Sequence, residues 1–287
     1  MKELSFLKIE GSGNDFILFD NREDILKITP AWIQKICARR TGIGADGIIV
    51  IENSKKADFK MRIINSDGSE AEMCGNGARC AAKFATLLSI AKHKMIFETI
   101  AGLINAEVFN QEVKVNLPDP INLELSKTIV LDRKPKTVHH INTGVPHTVL
   151  ICEDIVSIDV ETLGRKIRYH QDFAPQGTNV NFVKITDKES ISIRTYERGV
   201  ESETLSCGTG SVASACICYL LKKVYPPVKV KTAGGEYLVV NFEEQNSQII
   251  NLSMKGPVSV IYEGKIINNF IGGKNVYRLY GSLSDSF

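Results

Sequence analysis

The sequence of 287 residues has no apolar run long enough to span a membrane or to form the core of a signal peptide. Its 35 Lys and Arg residues are scattered, and the net charge is only +2, so it lacks the basic footprint of proteins that bind nucleic acid or anionic membranes. We therefore expect a cytoplasmic globular protein that binds neither nucleic acid nor membrane. The length favours two domains of ordinary size.

The seven cysteines include no Cys-x-x-Cys pair, which removes support for a zinc ribbon or a thioredoxin-like redox site. Their odd number, without an export signal, argues against a disulfide framework. The five histidines show no metal-binding spacing, and no lysine marks a pyridoxal site. We therefore expect a protein without metal or other cofactor.

The most informative feature that is present is an internal repeat. Residues 69–77 and 202–210 share the pattern Ser-Glu-x-x-x-Cys-Gly-x-Gly, and their cysteines, Cys74 and Cys207, lie 133 positions apart. Flanking elements recur in the same order. Two copies of one arrangement predict two similar domains that face each other across a pseudo-two-fold axis.

Each motif is followed by a segment that is apolar on every face, at residues 78–91 and 211–221. A helix of that kind must be buried on all sides. Because strand-like runs flank both segments, the sequence predicts an α+β fold of two pseudo-symmetric domains. Each domain is expected to be a curved, mostly antiparallel, barrel-like β-sheet wrapped around a central α-helix.

The turn-forming residues 118–120, Pro-Asp-Pro, indicate the linker between the domains. We expect an N-terminal domain of residues 1–118 and a C-terminal domain of residues 119–264. The last segment, 265–287, is expected to return to the first domain.

The position of Cys74 and Cys207 directly before the two helices suggests chemistry. Free N–H groups and the helix dipole stabilise a thiolate, lowering the cysteine pKa from about 8.5, and also form an anion site that suits a carboxylate. If the domains face each other, one carboxylate lies between two helix ends, with a thiol on each side of the adjacent carbon. One thiol would remove a proton from one face and the other would return one to the opposite face, as inversion at Cα requires.

Eight short motifs carry a resemblance to a known family. They are Gly-Ser-Gly-Asn-Asp-Phe at 11–16, Gly-Ile-Gly-Ala-Asp-Gly at 42–47, Asn-Ser-Asp-Gly-Ser-Glu at 65–70, Cys-Gly-Asn-Gly-Ala-Arg-Cys at 74–80, Pro-His at 146–147, Thr-Asn-Val-Asn-Phe at 178–182, Tyr-Glu-Arg-Gly at 196–199 and Glu-Thr-Leu-Ser-Cys-Gly-Thr-Gly at 203–210. In these motifs the chain strongly resembles the diaminopimelate epimerases. That family interconverts LL- and meso-diaminopimelate on the route to lysine and peptidoglycan precursors, without a cofactor.

The resemblance implies roles for individual residues. Cys74 and Cys207 correspond to the catalytic pair, and His147 and Glu197 to groups that tune the thiols. The residues implied in substrate binding are Asn14, Asn65, Gly75, Asn76, Asn179, Glu197, Arg198, Gly208 and Thr209. The pairs that follow each cysteine correspond to holders of the reacting α-carboxylate. Recognition of the substrate, chiefly of its distal end, is the role implied for Asn14, Asn65, Asn179 and Arg198. Arg grips a carboxylate with two bonds, and Asn both donates and accepts. A homodimer is the implied assembly.

Other functions stay open beside this one. A proline-racemase-like enzyme would share the fold and the chemistry, but such enzymes typically carry His in place of Asn76 and lack the Glu-Arg-Gly element. A non-catalytic amino-acid-binding homologue would need neither both cysteines nor both anion sites. Val145, Gly47 and the residues 268–287 depart from the family pattern, which bears on substrate preference.

Overall fold

The computed structural model describes residues 3–267 and 276–280. The chain forms two compact units, one from the described residues of Met1–Val115 and Pro257–Phe287, and the other from Asn116–Gly256. The limits 1–118 and 119–264 stay a prediction of domains. Of the segment 265–287, expected to return to the first domain, residues 268–275 and 281–287 lie outside the described residues. No helix in the described part of the chain is long and apolar enough to cross a membrane.

The first unit starts with an alternation of strands and helices. Its elements are β1 (Glu3–Gly11), β2 (Asn14–Asp20), α1 (Pro30–Cys37), β3 (Gly47–Glu52), β4 (Phe59–Asn65), β5 (Glu70–Ala71), α2 (Gly75–Leu87), β6 (Lys94–Thr99), β7 (Gly102–Phe109) and β8 (Glu112–Asn116). Strand β2 is parallel to β3, and β4 is parallel to β6. The pairs β1–β2, β3–β4, β4–β5, β6–β7 and β7–β8 are antiparallel.

The second unit repeats this order after one additional strand. Its elements are β9 (Ile121–Leu131), β10 (Lys134–Asn142), β11 (Pro146–Ile151), α3 (Val160–Arg168), β12 (Asn179–Asp187), β13 (Ser190–Glu197), β14 (Ser202–Thr204), α4 (Gly208–Leu220), β15 (Val228–Lys231), β16 (Tyr237–Gln245) and β17 (Gln248–Pro257). Strand β11 is parallel to β12 and β13 to β15, whereas the other pairs of neighbours are antiparallel. The chain then adds β18 (Ser259–Ile267) and β19 (Val276–Tyr280).

The pairing of β1 to β8 recurs strand for strand in β10 to β17. Both runs have parallel pairs at the same two steps, with α1 and α3 in the first crossover and α2 and α4 in the second. Even the outer partners correspond, because β18 pairs antiparallel with β1 as β9 does with β10. The repeat inferred from two nine-residue motifs therefore extends over the whole topology. The predicted α+β fold with two pseudo-symmetric, mostly antiparallel halves is confirmed.

Helices α2 and α4 are the central helices of their units. Helix α2 contacts β1, β2, β3, β4 and β7, and α4 contacts β10, β11, β12, β13, β15 and β16. Since these strands come from both ends of the pairing order, each sheet curves around its helix. Nearly every residue from Gly75 to Ala85 and from Gly208 to Cys218 is buried.

The central helices begin three residues earlier than their apolar segments suggest, directly after the cysteines. Helix α2 also ends earlier, at Leu87 rather than at residue 91, because Ser89 adopts φ 55° and cannot continue a right-handed helix. Lys222, with φ 59°, follows the end of α4 in the same way. The N-terminal difference matters for function, because it makes both cysteines N-cap residues.

Candidate active site

Cys74 is the N-cap of α2, with an extended backbone at φ −141° and ψ 123°. Its Sγ accepts a hydrogen bond from the Gly77 N–H at 3.5 Å, and its side chain is half-buried. The sulfur therefore lies at the positive end of a buried helix, where a developing negative charge is favoured. A Cβ at Gly77 would lie 2.7 Å from Ile63 Cδ1, the far end of a flexible side chain.

Asn14 contacts Cys74 from the start of β2. The turn between β1 and β2 uses positive φ at Ser12 (59°) and Gly13 (82°), and it brings the Asn14 Oδ1 to 3.7 Å from Cys74 Sγ. Asn14 Nδ2 donates to Asp46 Oδ2 at 2.7 Å. Because an ionised carboxylate can only accept, the amide is held with its oxygen toward Cys74. The predicted binding residue Asn14 thus lies in hydrogen-bond reach of the predicted catalytic thiol.

The Asp46 carboxylate belongs to an ionic network. Arg39 bridges Asp46 and Asp15, at 2.6 and 2.9 Å, and the buried Lys8 forms an ion pair with Asp15 at 2.8 Å and a hydrogen bond with the Gly44 carbonyl. Burial opposes ionisation of Asp15, but the bonds from Arg39 and Lys8 outweigh it and lower its pKa to about 2. The charged network gives Asn14 a rigid support.

Asn76 is fixed by Arg79 from the same helix. The guanidinium is fully buried, and its Nη2 donates to Asn76 Oδ1 at 2.8 Å and to Ser12 Oγ at 3.0 Å. Its Nη1 donates to the Pro257 carbonyl at 2.8 Å. Since Arg has donors only, the Asn76 amide must direct its oxygen to Arg79 and its NH₂ group elsewhere.

Asn65, another predicted binding residue, is exposed at the end of β4. Its Nδ2 donates to Ser69 Oγ at 3.0 Å, within the turn that leads to β5. It stands opposite Gly47 in the β3–β4 register. A Cβ at Gly47 would lie 2.5 Å from the Ile64 carbonyl oxygen, so the backbone of this chain has no room for a side chain there. The departure from the family pattern at Gly47 therefore has a local structural reason.

In the second unit, Cys207 is the N-cap of α4, with φ −123° and ψ 110°. The side chain is 6% exposed, and its Sγ lies 3.6 Å from Thr209 Oγ1. The Thr209 backbone carbonyl accepts from Thr143 Oγ1 at 3.0 Å. Cys207 and Cys74 thus occupy equivalent positions in the repeated topology, although their immediate partners differ.

His147 lies behind Thr209 and is fully buried on β11. Its Nε2 is 2.9 Å from Thr209 Oγ1, and its Nδ1 is 3.1 Å from Asn181 Nδ2. Burial, with smaller contributions from the charges of His140 and Arg198, lowers the pKa of His147 to about 3. The ring is therefore neutral near pH 7. It reaches Cys207 through the Thr209 hydroxyl.

Asn179 organises the segment that carries Glu197 and Arg198. The buried Asn179 amide accepts from the Arg198 N–H at 2.8 Å and donates to the Pro146 carbonyl at 3.1 Å. Glu197 ends β13, and both Glu197 and Arg198 are half-buried. The Arg198 Nη1 is 3.3 Å from the Gln176 carbonyl oxygen. Four predicted residues thus lie at one end of β11, β12 and β13: His147, Asn179, Glu197 and Arg198.

Several residues at this site were not singled out from the sequence. Asp46 orients Asn14, Arg79 orients Asn76, and Asn181 contacts His147. All three lie within motifs that carry the family resemblance, and this was the signal available. Among the described residues, no three His, Cys, Asp or Glu side chains are grouped as a metal site.

The chain was compared with known proteins. A model of the family described as "Diaminopimelate epimerase" matches residues 6–121 and 139–261. The diaminopimelate epimerase of Aquifex aeolicus (strain VF5) is 45% identical over 276 residues, 92% of this chain and 98% of that protein. That of Hydrogenobaculum sp. (strain Y04AAS1) is 43% identical over 274 residues, 90% of this chain and 97% of that protein.

Solved structures show the same fold at low sequence identity. A phenazine biosynthesis protein of the PhzF family from Bacillus anthracis is similar with a TM-score of 0.71 and 14% identity, covering 93% of this chain and 100% of its own. At that identity the likeness concerns the fold alone. The family model and the close relatives go further, and by them this chain belongs to the diaminopimelate epimerase family.

Proposed function

We propose that this chain interconverts LL- and meso-diaminopimelate without a cofactor, with Cys74 and Cys207 as the two acid–base groups. On the family resemblance we further propose a cytoplasmic homodimer that supplies precursors of lysine and peptidoglycan. One observation carries the mechanism: the two cysteines are N-caps of buried helices that hold equivalent places in a repeated topology. A repeated thiol at a repeated anion site is what a two-base inversion uses.

Within each Cys-Gly-x-Gly motif, the cysteine and the two residues after it have different proposed tasks. The N–H groups that open α2 and α4, at Gly75-Asn76 and Gly208-Thr209, are suited to hold the reacting α-carboxylate and its enediolate. One thiolate removes the Cα proton and the other thiol delivers a proton to the opposite face. Acid–base groups of this kind each contribute roughly 100-fold to 10,000-fold in rate.

The remaining predicted residues are proposed to recognise and orient the substrate. Asn14 and Asn76 have fixed amide orientations, so each presents a defined donor or acceptor rather than an adaptable one. Arg198 offers the planar fork that pairs with a distal carboxylate. Asn65 is exposed at the end of β4, where its amide is suited to contact the distal amino group of the substrate.

The first test follows hydrogen at Cα in deuterated water. Because separate thiols serve the two faces, product formed early from LL-diaminopimelate should carry deuterium at the inverted carbon, while unreacted substrate stays protiated. Nuclear magnetic resonance and mass spectrometry of both diastereomers during the initial phase measure this. Equal early labelling of substrate and product would indicate a single base. Exchange at Cα of proline instead of diaminopimelate would favour the proline-racemase-like alternative.

A second test concerns Arg198. Replacing it by Lys exchanges a planar fork for a point charge, and we expect kcat/KM on diaminopimelate to fall roughly thirtyfold, about 2 kcal/mol. The exposed Arg165 on α3 offers a matched control, since Arg165→Lys should leave kcat/KM unchanged. Steady-state kinetics on both variants check this. An unaltered kcat/KM in Arg198→Lys would remove this side chain from substrate recognition.

A further inference from the structure

Asn181, on β12, has an amide whose orientation is fixed by three partners. Its Oδ1 accepts from Thr195 Oγ1 at 3.0 Å, and its Nδ2 is 3.3 Å from the Thr148 carbonyl oxygen. A carbonyl only accepts, so the NH₂ group must face it. The same Nδ2 lies 3.1 Å from His147 Nδ1. The side chain is fully buried, so no solvent competes for these bonds.

This orientation selects one tautomer of His147. A ring nitrogen that faces an N–H donor must be the acceptor, so Nδ1 is unprotonated and the proton of the neutral ring resides on Nε2. Burial keeps the ring neutral, with its pKa lowered to about 3. The Nε2–H then donates to Thr209 Oγ1 at 2.9 Å.

The hydroxyl of Thr209 therefore has its own hydrogen available for the next partner. The atom within reach is Cys207 Sγ at 3.6 Å. We infer that Asn181 is a positioning residue which, through His147 and Thr209, directs a hydroxyl donor at Cys207 and so holds Cys207 as the resting thiolate. The inference rests on the proposed function and deepens it, because it assigns the resting base to one of two thiols.

In the first unit the side-chain group beside the thiol is a hydrogen-bond acceptor instead of a donor. There the Asn14 amide is fixed by Asp46 and turns its oxygen, an acceptor, toward Cys74 Sγ at 3.7 Å. An acceptor beside the sulfur favours the protonated thiol. The side-chain partner is thus a hydroxyl donor at Cys207 and an amide acceptor at Cys74, where the donor to the sulfur is the backbone Gly77 N–H. The resting enzyme would hold one acid and one base, as a proton transfer in each direction needs.

The charged neighbours of His147 agree with this assignment. His140 on β10 and Arg198 after β13 both disfavour a second proton on the ring. The acidic group at the same end of β13 is Glu197. A protonated His147 would donate from both nitrogens and would collide with the Asn181 NH₂ group. The neutral Nε2–H form is the one that satisfies every partner.

The tautomer can be measured without any assay of activity. In protein labelled with ¹⁵N histidine, the His147 ring should show a protonated Nε2 and an unprotonated Nδ1 between about pH 6 and 8, with His147→Asn identifying its signals. In Asn181→Leu the preference should be lost and the Nδ1–H form should appear. A wild-type ring protonated on Nδ1 would overturn the inference.

Alkylation measures how readily the Cys207 thiol loses its proton. The pH midpoint for iodoacetamide labelling of Cys207, measured by peptide mass spectrometry, should lie below that of Cys74. Thr209→Val removes the hydroxyl at nearly constant volume and should raise the Cys207 midpoint by about one pH unit, a tenfold loss of labelling at low pH. Thr209→Ser keeps the hydroxyl and should keep the midpoint.

A double-variant comparison separates positioning from simple packing. Asn181→Leu should raise the Cys207 midpoint, but should have no further effect in the Thr209→Val background, since the influence passes through the hydroxyl. If Asn181→Leu shifted the Cys207 midpoint equally in both backgrounds, the inference would be overturned. An unchanged Cys207 midpoint in Thr209→Val would also overturn it. Thr209→Val keeps the inference testable even if Asn181→Leu does not fold. Failure of the proposed function is recognised separately, by wild-type protein that does not epimerise diaminopimelate.

Discussion

Cys74→Ala and Cys207→Ala should each lower the rate of epimerisation by at least roughly 1,000-fold. Each variant should still exchange the Cα hydrogen of one diastereomer with solvent. Inversion needs a group on both faces, and each variant lacks one. The remaining thiol can still remove the proton on its own face and return a deuteron from solvent to the same face. One variant should therefore label LL-diaminopimelate only, and the other the D-centre of meso-diaminopimelate only.

The measurement is deuterium incorporation into each purified diastereomer, with chiral analysis to show that configuration is retained. The double variant should lose both exchanges but be little worse than either single variant in epimerisation, because residues that act as a unit are not additive. Cys152→Ala is the matched control, since that half-buried thiol bonds to the Leu150 carbonyl and lies outside the helix starts. Epimerisation that survives in either single variant would exclude that cysteine as an acid or base.

The global fold could be inferred from sequence because the information is repeated. Two copies of one nine-residue motif, each before an apolar helix, imply the same unit twice. The burial requirement of such a helix then specifies a sheet around it. The topology of β1–β8 and β10–β17 follows that expectation. Strand β9, an outer strand beyond the repeat, was not predicted. A return to the first domain was expected only from residue 265, whereas β18 already pairs with β1 from Ser259.

The residues that orient the side chains of the site were harder to infer, because their roles depend on contacts between residues far apart in sequence. Asp46 is 32 positions from Asn14, and the Pro257 carbonyl that accepts from Arg79 is 178 positions away from it. No local pattern encodes such pairs. Arg79 even contradicts its surroundings, because a fully buried guanidinium lies in a helix judged apolar on every face. It is tolerated because three acceptors surround its terminal nitrogens.

Asn181 illustrates the same limit inside a recognised motif. An Asn inside a strand has low strand propensity and no turn to make, which marks Asn181 as unusual. Its partners, however, are set by how β11, β12 and β13 align, with Val149 opposite Asn181 and Thr195 opposite Asn181 in the two registers. Only the folded sheet shows that its amide meets His147. The sequence predicts Cys74 and Cys207 as the reacting groups, and the structure adds the hydrogen-bond partners around them.

Gly210→Ala should reduce epimerase activity by roughly 100-fold or more and lower the free energy of unfolding by about 1–3 kcal/mol. A Cβ at this position would lie 2.4 Å from Asn181 Oδ1 and 3.2 Å from Cys207 Sγ. Neither neighbour can yield without loss, because the Asn181 amide is held by three partners and the Cys207 sulfur is the proposed acid–base group, in contact with Thr209 Oγ1. The usual gain from Ala in a helix, at most about 1 kcal/mol, is too small to offset the overlap.

Gly77→Ala is the matched control at the equivalent place in α2. There the new Cβ would meet Ile63 Cδ1 at 2.7 Å, the far end of a flexible side chain that can change rotamer. We expect a change in unfolding free energy below about 1 kcal/mol and a much smaller loss of activity than in Gly210→Ala. Denaturant unfolding and steady-state kinetics on both variants provide the comparison. Equal effects at the two glycines would mean that crowding of a helix start alone is responsible, and that the fixed Asn181 amide has no special part in the function of Cys207.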